Sequence, residues 1–412
     1  MINERLDRQL RIEGWNQEAL ENQRIGIIGD NEFLTSFYVL SAAALGINRQ
    51  VVIAPSLDEK FIKIASSINP SLELGYIKGY YVHPSMRESL LNSKYIIDLT
   101  GYNLAKKLLI EDAFMNNLSV LLTNFSEGIK VFHYSKGKEY KELEEILAKH
   151  ELPAKREIDP IAGIIGVGIA LEETKNMLMN KKVSDELIKY STFNENEKMR
   201  EYSKIKALIV GAGALGNIVG IGLAYLGVKK IDIIDPDNIE ETNLNRQIMF
   251  YDAVGEEKAK TLAKRLNELF NTNAKGIKGY FREDFNIKPY DVIFDCVDNF
   301  ETRIVISEKC KEEGKLLISG GTSYKAGQVI TYNPKISEKT PAEFLGLYEI
   351  VDRRKIAEYQ RVRASCSYQP DPSVIMSNEI IGGIMVDKFR AVIAGLDVGP
   401  TFYDAVGEKR LG

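Results

Sequence analysis

Apolar residues fall into short continuous runs separated by mixed stretches, and the arrangement occurs twice. In the first half the runs are RIGIIG (24–29), QVVIAP (50–55), YIIDLT (95–100) and SVLLTN (119–124). In the second they are ALIVGAG (207–213), KIDIIDP (230–236), DVIFDCV (291–297) and KLLISGG (315–321). Runs of this kind predict strands buried on both faces, and helical stretches between them predict a parallel sheet covered by helices. Each half closes on an apolar helix behind a proline, at Pro160 and at Pro372, rich in small residues. Small residues at that spacing let helices approach closely, so these two helices are expected to pack where the halves meet.

The correspondence is detailed. Residues 25–55 match 207–236 at an offset of 182 at the loop (Gly29 to Gly211) and 181 at the next strand (Pro55 to Pro236). The polar stretch 181–204 is the expected linker, between a first repeat at 1–180 and a second at 205–412. An insertion at about 334–371, charged and Tyr-rich, is expected to be a loop with one or two short helices.

Composition narrows the function classes. At 412 residues the length suggests two or three domains. A formal net charge of −4 with no long basic run argues against nucleic acid as a partner. No apolar run is long enough to span a bilayer and no charged-then-apolar leader opens the sequence, so a cytoplasmic protein is expected. The three cysteines, Cys296, Cys310 and Cys366, form no C-x-x-C pair, so neither zinc nor a disulfide scaffold is expected. His83, His133 and His150 lack metal-type spacing and read as structural or surface residues.

The chemistry concentrates in the second half. Gly211-Ala-Gly213-Ala-Leu-Gly216 follows a strand and opens a helix, the context of a phosphate-binding turn. Gly211 permits the tight turn, Gly213 lets backbone N–H groups approach phosphate, and Gly216 lets the helix pack on the strand. Free N–H groups and the helix dipole favour an anion there. Asp235, ending the next strand, suits two ribose hydroxyls. Nicotinamide dehydrogenases share these features, so discrimination falls to the residues beyond Asp235. Asn243, Arg246 and Gln247 come just past the ribose position, Lys258 opens a helix, and Asp298 ends the strand DVIFDCV. Two cations facing a carboxylate suit a triphosphate with Mg²⁺: the cations stabilise charge on departing pyrophosphate and the carboxylate holds the metal. A dehydrogenase has no use for that set.

The combined motif GAGALGN…DPDNIEETNLNRQIMF…GEEKA…DCVDNFETR resembles the ThiF/MoeB/HesA adenylyltransferases and the adenylation domain of ubiquitin-activating enzymes, closely over about 205–330 and more loosely elsewhere. The resemblance implies an α/β fold of two tandem Rossmann-like doubly wound parallel sheets forming a pseudo-dimer, plus a small insertion lobe. It implies ATP and Mg²⁺ as cofactors, Asp235 on the ribose, Asn243, Arg246, Gln247 and Lys258 on the phosphates, and Asp298 on the metal. The opening Arg5-Leu-Asp-Arg8-Gln9 is similar to the family's R-Y-x-R-Q signature, whose second arginine reaches across the dimer into the partner's site; Arg8 is that position. Lys189-Tyr-Ser-Thr192-Phe is taken as its counterpart in the second repeat, with Thr192 replacing the arginine. In the first repeat Asp30, Asn31 and Leu34 replace Ala212, Gly213 and Gly216, Ala54 replaces Asp235, and Gly101 falls at Asp298. A degenerate first repeat that donates Arg8, and an active second repeat that receives it, fit only if the halves face each other.

The resemblance further implies adenylation of the C-terminal carboxylate of a small ubiquitin-like or sulfur-carrier β-grasp protein. The alternatives are modification of a ribosomal peptide's C-terminus, as in microcin maturation, or a scaffold that presents a peptide. Cys296 and Cys310 read as core residues. Cys366, with Arg361 and Arg363 beside it to favour the thiolate, is either a thioester-forming nucleophile or a vestigial zinc-ligand position.

Overall fold

A computed structural model describes residues 4–90, 92–126, 128–136, 143–155, 157–193, 201–351, 371–407 and 410–412. Two seven-stranded sheets repeat one topology. The first consists of β1 (Arg24–Gly29), β2 (Arg49–Ala54), β3 (Glu73–Lys78), β4 (Tyr95–Leu99), β5 (Ser119–Asn124), β6 (Ile129–Tyr134) and β7 (Ile188–Tyr190), in the order β3-β2-β1-β4-β5-β6-β7. The second consists of β8 (Lys206–Val210), β9 (Lys230–Asp235), β10 (Lys275–Lys278), β11 (Val292–Asp295), β12 (Leu316–Thr322), β13 (Ala326–Tyr332) and β14 (Thr401–Asp404), in the order β10-β9-β8-β11-β12-β13-β14. Strand order reverses at β1/β4 and at β8/β11. In open α/β sheets ligands bind at such a switch point, beyond the carboxyl ends of the strands.

All eight expected strands form, and the continuous apolar runs lie at the centre of each sheet. The sheets are mixed rather than wholly parallel, because β6 and β7, like β13 and β14, run antiparallel to their neighbours. In β6 Ile129, Val131, Phe132 and Tyr134 are buried but Lys130 and His133 interrupt them, so no continuous apolar run marks the strand. The expected linker is also corrected. Ile188–Tyr190 lies within 181–204, yet it is the last strand of the first sheet. Backbone pairing therefore carries the first unit past residue 180.

Among the described residues seven helices of twelve residues or more flank the sheets: α1 (Glu32–Leu45), α2 (Asn103–Asn116), α3 (Pro160–Leu178), α4 (Ala214–Tyr225), α5 (Lys258–Phe270), α6 (Phe300–Glu312) and α7 (Ile375–Ile393). α3 and α7 are the closing helices, and they pack on each other as expected. A Cβ on Gly168 would sit 2.9 Å from the Met376 carbonyl oxygen, and one on Gly383 would sit 2.4 Å from Ile165 Cγ1. Ile164, Ile165, Ile380, Ile381 and Ile384 are fully buried there, in a core shared by both units. Within the insertion, Pro341–Phe344 and Leu347–Ile350 are short helices, the first with a Thr340/Glu343 capping box.

Each unit also buries a carboxylate–cation pair in the same place. Asp98 on β4 meets Lys106 of α2 at 2.5 Å, and Asp295 on β11 meets Arg303 of α6 at 2.9 Å. Lys106 donates to the carbonyls of Thr100 and Thr123; Arg303 donates to those of Val297 and Gly320. Every one of these positions is repeated at an offset of 197. Among the described residues no helix is long and apolar enough to cross a membrane.

Candidate functional site

β8 ends in the glycine loop and α4 begins behind it. Gly211 has φ 98°, and a Cβ there would lie 2.7 Å from the Cys296 carbonyl oxygen, so the turn excludes any other residue. A Cβ on Gly216 would lie 2.0 Å from the Gly211 carbonyl oxygen, which fixes the approach of helix to loop. Gly213 differs, because it faces open space with only Gln247 Nε2 at 3.9 Å. It is also the N-cap of α4 and offers no side chain to the helix start. The first N–H groups of the helix are thus left to whatever enters that space.

The walls are built by polar residues held from behind. Asp235 is buried and accepts from Ala212 N at 2.7 Å and Asp237 N at 2.8 Å. Burial raises the Asp235 carboxyl above its ordinary range, and Lys258 opposes that rise. Lys258 opens α5 and bonds Asp237 Oδ2 at 3.1 Å. Asn243 accepts from Glu240 N at 3.0 Å in a capping box, so its side-chain oxygen shapes the turn. Gln247 is buried, and its Oε1 has no hydrogen-bond partner among the described residues.

Arg246 is buried and donates to the Thr242 carbonyl at 2.9 Å and to Asn245 Oδ1 at 2.7 Å. Burial first, then repulsion from Arg8, pushes its pKa down to about 9, with Asp298 and Glu240 opposing. A guanidinium in that state gains from an incoming anion. Asp298 is exposed, on the loop between β11 and α6.

Arg8 of the first unit reaches across to the second. It donates to the Asp371 carbonyl at 3.2 Å, and burial lowers its pKa while Glu240 and Asp298 oppose. The charges of Arg8 and Arg246 thus act on each other, and that of Asp298 on both, although they lie in different units. The assigned counterpart of Arg8 is corrected by the topology. Lys189 and Tyr190 belong to β7, which occupies the place of β14 in the second sheet, so Thr192 does not stand where Arg8 stands.

The equivalent corner of the first unit is closed by its own side chains. Asn31 caps α1 by accepting from Leu34 N at 3.0 Å, and Asp30 accepts from Gly101 N at 3.1 Å. The open helix start at Gly213 is thus filled at Asn31. Cys296 and Cys310 are buried, and burial pushes both thiols up, as fits core residues. Cys366, Arg361 and Arg363 lie outside the described residues.

Sequence reasoning assigned no role to two residues that build the site. Asn217 donates to the carbonyls of Ala212 and Gly213 and accepts from Met249 N, locking the loop onto the Ile248–Phe250 turn. Asn245 touches both units through Gln9. The signal was available for Asn217: it is the one polar side chain in the apolar helix ALGNIVGIGLAY apart from the closing Tyr225, and a buried amide there must bond to something.

Adenylyltransferase and sulfurtransferase MOCS3-1 of Zea mays is 35% identical over 33% of this chain and 30% of its own length. A probable molybdopterin-synthase adenylyltransferase of Porphyra purpurea is 38% identical over 31% of this chain and 34% of its own. Adenylyltransferase and sulfurtransferase UBA4 of Candida albicans is 32% identical over 34% of this chain and 33% of its own. The matches thus span about a third of each relative's length. The solved structure of E. coli MccB with MccA aligns at a TM-score of 0.42 and 18% identity, over 52% of this chain and 64% of that one, too loosely to argue from. The ThiF family model matches residues 193–404, more than half of the sequence and all of the glycine loop, and the chain belongs to the ThiF family.

Proposed function

We propose that the chain is an ATP-dependent adenylyltransferase that acts in the cytoplasm on the C-terminal carboxylate of a small ubiquitin-like or sulfur-carrier β-grasp protein. A carboxylate oxygen attacks the α-phosphorus of ATP, the bond from that phosphorus to the bridging oxygen breaks, and pyrophosphate leaves. The observation that supports this reading best is the electrostatic influence of Arg8, from one unit, on Arg246 of the other, with Asp298 acting on both, alongside the uncapped helix start at Gly213. The proposed roles follow from position. The loop Gly211, Gly213 and Gly216 cradles phosphate, Asp235 holds the ribose, and Asn243 and Gln247 border the phosphates. Arg8, Arg246 and Lys258 neutralise charge as pyrophosphate departs. Such catalysis is positioning and charge stabilisation rather than covalent chemistry.

The residues fit a magnesium nucleotide. Gln247 Oε1 lacks a partner among the described residues, Gly213 leaves room, and two desolvated guanidinium groups await an anion. Magnesium is commonly held by one or two carboxylates together with substrate phosphates, so Asp298 alone is a sufficient protein share. The ion would supply charge neutralisation on the phosphates. A protein acceptor is favoured because one relative is named for adenylylating molybdopterin synthase, a protein.

The first unit, on this reading, binds no nucleotide and serves as the donor of Arg8. Thioester transfer to Cys366 is a separate proposal. It is supported by the two neighbouring arginines and by the chain reaching the site again at Asp371. A thiol-sensitive acyl adduct lost in Cys366→Ser tests it.

The adenylation reading is tested by ATP–pyrophosphate exchange with a candidate carrier. Asp298→Ala is expected to abolish exchange with the fold intact, and Arg8→Ala to impair it. Full exchange in Asp298→Ala overturns the assignment.

A further inference from the structure

We infer that Gln9, a residue of the first unit, is a positioning residue that sets the orientation of Arg246 in the second. A chain of hydrogen bonds runs from one to the other. Gln9 Nε2 donates to the Leu45 carbonyl at 2.8 Å and to Gln17 Oε1 at 2.6 Å. Gln9 Oε1 accepts from Asn245 Nδ2 at 3.0 Å, and Asn245 Oδ1 accepts from Arg246 Nη1 at 2.7 Å. Gln9 and Asn245 are fully buried, and Arg246 is 6% exposed, so water does not substitute for any link.

The polarity of the chain is fixed from its far end. The Leu45 carbonyl can only accept, so the nitrogen of Gln9 must face it. The oxygen of Gln9 must then face Asn245, which is obliged to present its nitrogen there. That leaves the oxygen of Asn245 for Arg246. Two amides that could each flip by 180° are locked by a carbonyl of α1, and the lock ends on a guanidinium. Asn245 also donates to the Ser373 carbonyl at 3.4 Å, just ahead of α7. Arg246 is buried and repelled by Arg8, and without the oxygen of Asn245 the Thr242 carbonyl would be its one remaining hydrogen-bond acceptor among the described residues. The relay thus couples docking of the first unit to the arrangement of charge in the second, a service distinct from the charge that Arg8 brings.

The inference rests on the reading of Arg246 as a phosphate-binding residue. The full-length chain is titrated calorimetrically with Mg·ATP and with adenosine, which lacks phosphates. Gln9→Met keeps length and bulk but removes all three side-chain hydrogen bonds. It is expected to weaken Mg·ATP about tenfold or more, the scale of losing a bond to a charged group, and to leave adenosine within about twofold. In an Arg246→Ala background Gln9→Met is expected to add nothing, the mark of residues that act as one unit. Asn245→Ala should give the same pattern, and it carries the test if Gln9→Met fails to fold by circular dichroism. Equal weakening of Mg·ATP and adenosine overturns the relay, as does a full tenfold loss on top of Arg246→Ala, or no loss in either variant. If Arg246→Ala itself binds Mg·ATP like wild type, the functional reading fails and the relay with it. If Arg246→Ala loses affinity and Gln9→Met does not, only the relay fails.

Discussion

Lys106→Met separates what the first unit does for the fold from what it does for the site. Lys106 is completely buried and its ammonium has three acceptors: Asp98 Oδ2 at 2.5 Å and the carbonyls of Thr123 at 2.5 Å and Thr100 at 2.9 Å. Methionine fills nearly the same space, so little cavity forms and the lesion is electrostatic. Asp98 Oδ1 keeps its bonds from Thr100 N at 3.0 Å and Thr100 Oγ1 at 2.6 Å, but Oδ2 loses its cation. Breaking one side of a buried pair costs about 3–5 kcal/mol, and two stranded carbonyls push the value towards the upper end. With a urea dependence of about 3 kcal/mol per molar, the midpoint should fall by roughly 1–1.7 M. Asp98→Asn/Lys106→Met removes the uncompensated charge and should return to within about 1–2 kcal/mol of wild type. Calorimetry at a temperature where the variant is folded should find Mg·ATP affinity unchanged. Arg303→Met, the counterpart, should destabilise comparably and also weaken Mg·ATP. Arg303 holds the Val297 carbonyl at 2.9 Å, next to Asp298. A midpoint shift under about 0.3 M for Lys106→Met, or a double variant as unstable as the single one, would refute this reasoning.

Two further outcomes concern the interface between the units. Gly168→Ala places a methyl 2.9 Å from a backbone carbonyl oxygen that cannot swing away. Overpacking of about 1–3 kcal/mol outweighs the roughly 1 kcal/mol that alanine gains in a helix, so a thermal melt should show lower stability; a gain of the full helix contribution would contradict the close crossing. Glu379 is fully buried on α7, accepts from Ser41 Oγ of α1, and leaves Oε2 without a partner among the described residues. Burial raises its carboxyl pKa well above 4.5. For an acid shifted upward, the folded state holds its proton longer than the unfolded state does. Stability is then lost as pH rises from the unfolded value to the folded one. Glu379→Gln removes that loss, so its advantage in urea midpoint over wild type should grow as pH rises from about 4.5 towards neutrality. An advantage that is constant with pH would mean that Glu379 does not titrate in this way.

The central strands were legible in the sequence because burial on both faces demands uninterrupted apolar residues, as in Ile25–Ile28 and Leu208–Val210. β6 and β13 escaped because polar residues (Lys130 and His133, Gln328 and Thr331) break their apolar runs, and β7 and β14 because strands of three or four residues carry no pattern of their own. The glycine loop was legible for a different reason. Gly211 and Gly216 are demanded by steric limits of 2.7 and 2.0 Å that any occupant of the site would leave unchanged. The partnerships of Asn217 and Asn245 were not legible, since an amide shows nothing of its partner until the chain folds. The placing of Thr192 against Arg8 went wrong where motif similarity outran topology: a peptide resembling the opening signature turned out to be the last strand of the sheet before it.

Comparison of the two units within the chain shows which residues answer to folding and which to the site. The buried pair repeats at an offset of 197 down to its carbonyl acceptors. On the closing helices, the crossing glycines Gly168 and Gly383 repeat at an offset of 215, and so do the ion pairs Glu172–Lys175 and Asp387–Arg390. These features recur because two doubly wound sheets that share a core meet the same packing problem twice. The switch points do not recur. One helix start is capped by its own Asn31, while the other, at Gly213, has no side chain to offer. One strand ends in Ala54 and the other in Asp235. A need met by internal hydrogen bonds in the first unit is left open in the second, and an open need at a buried, positively charged helix start is what a phosphate satisfies. Arg8 and Gln9, from the unit whose own corner is closed, both reach across to the second unit.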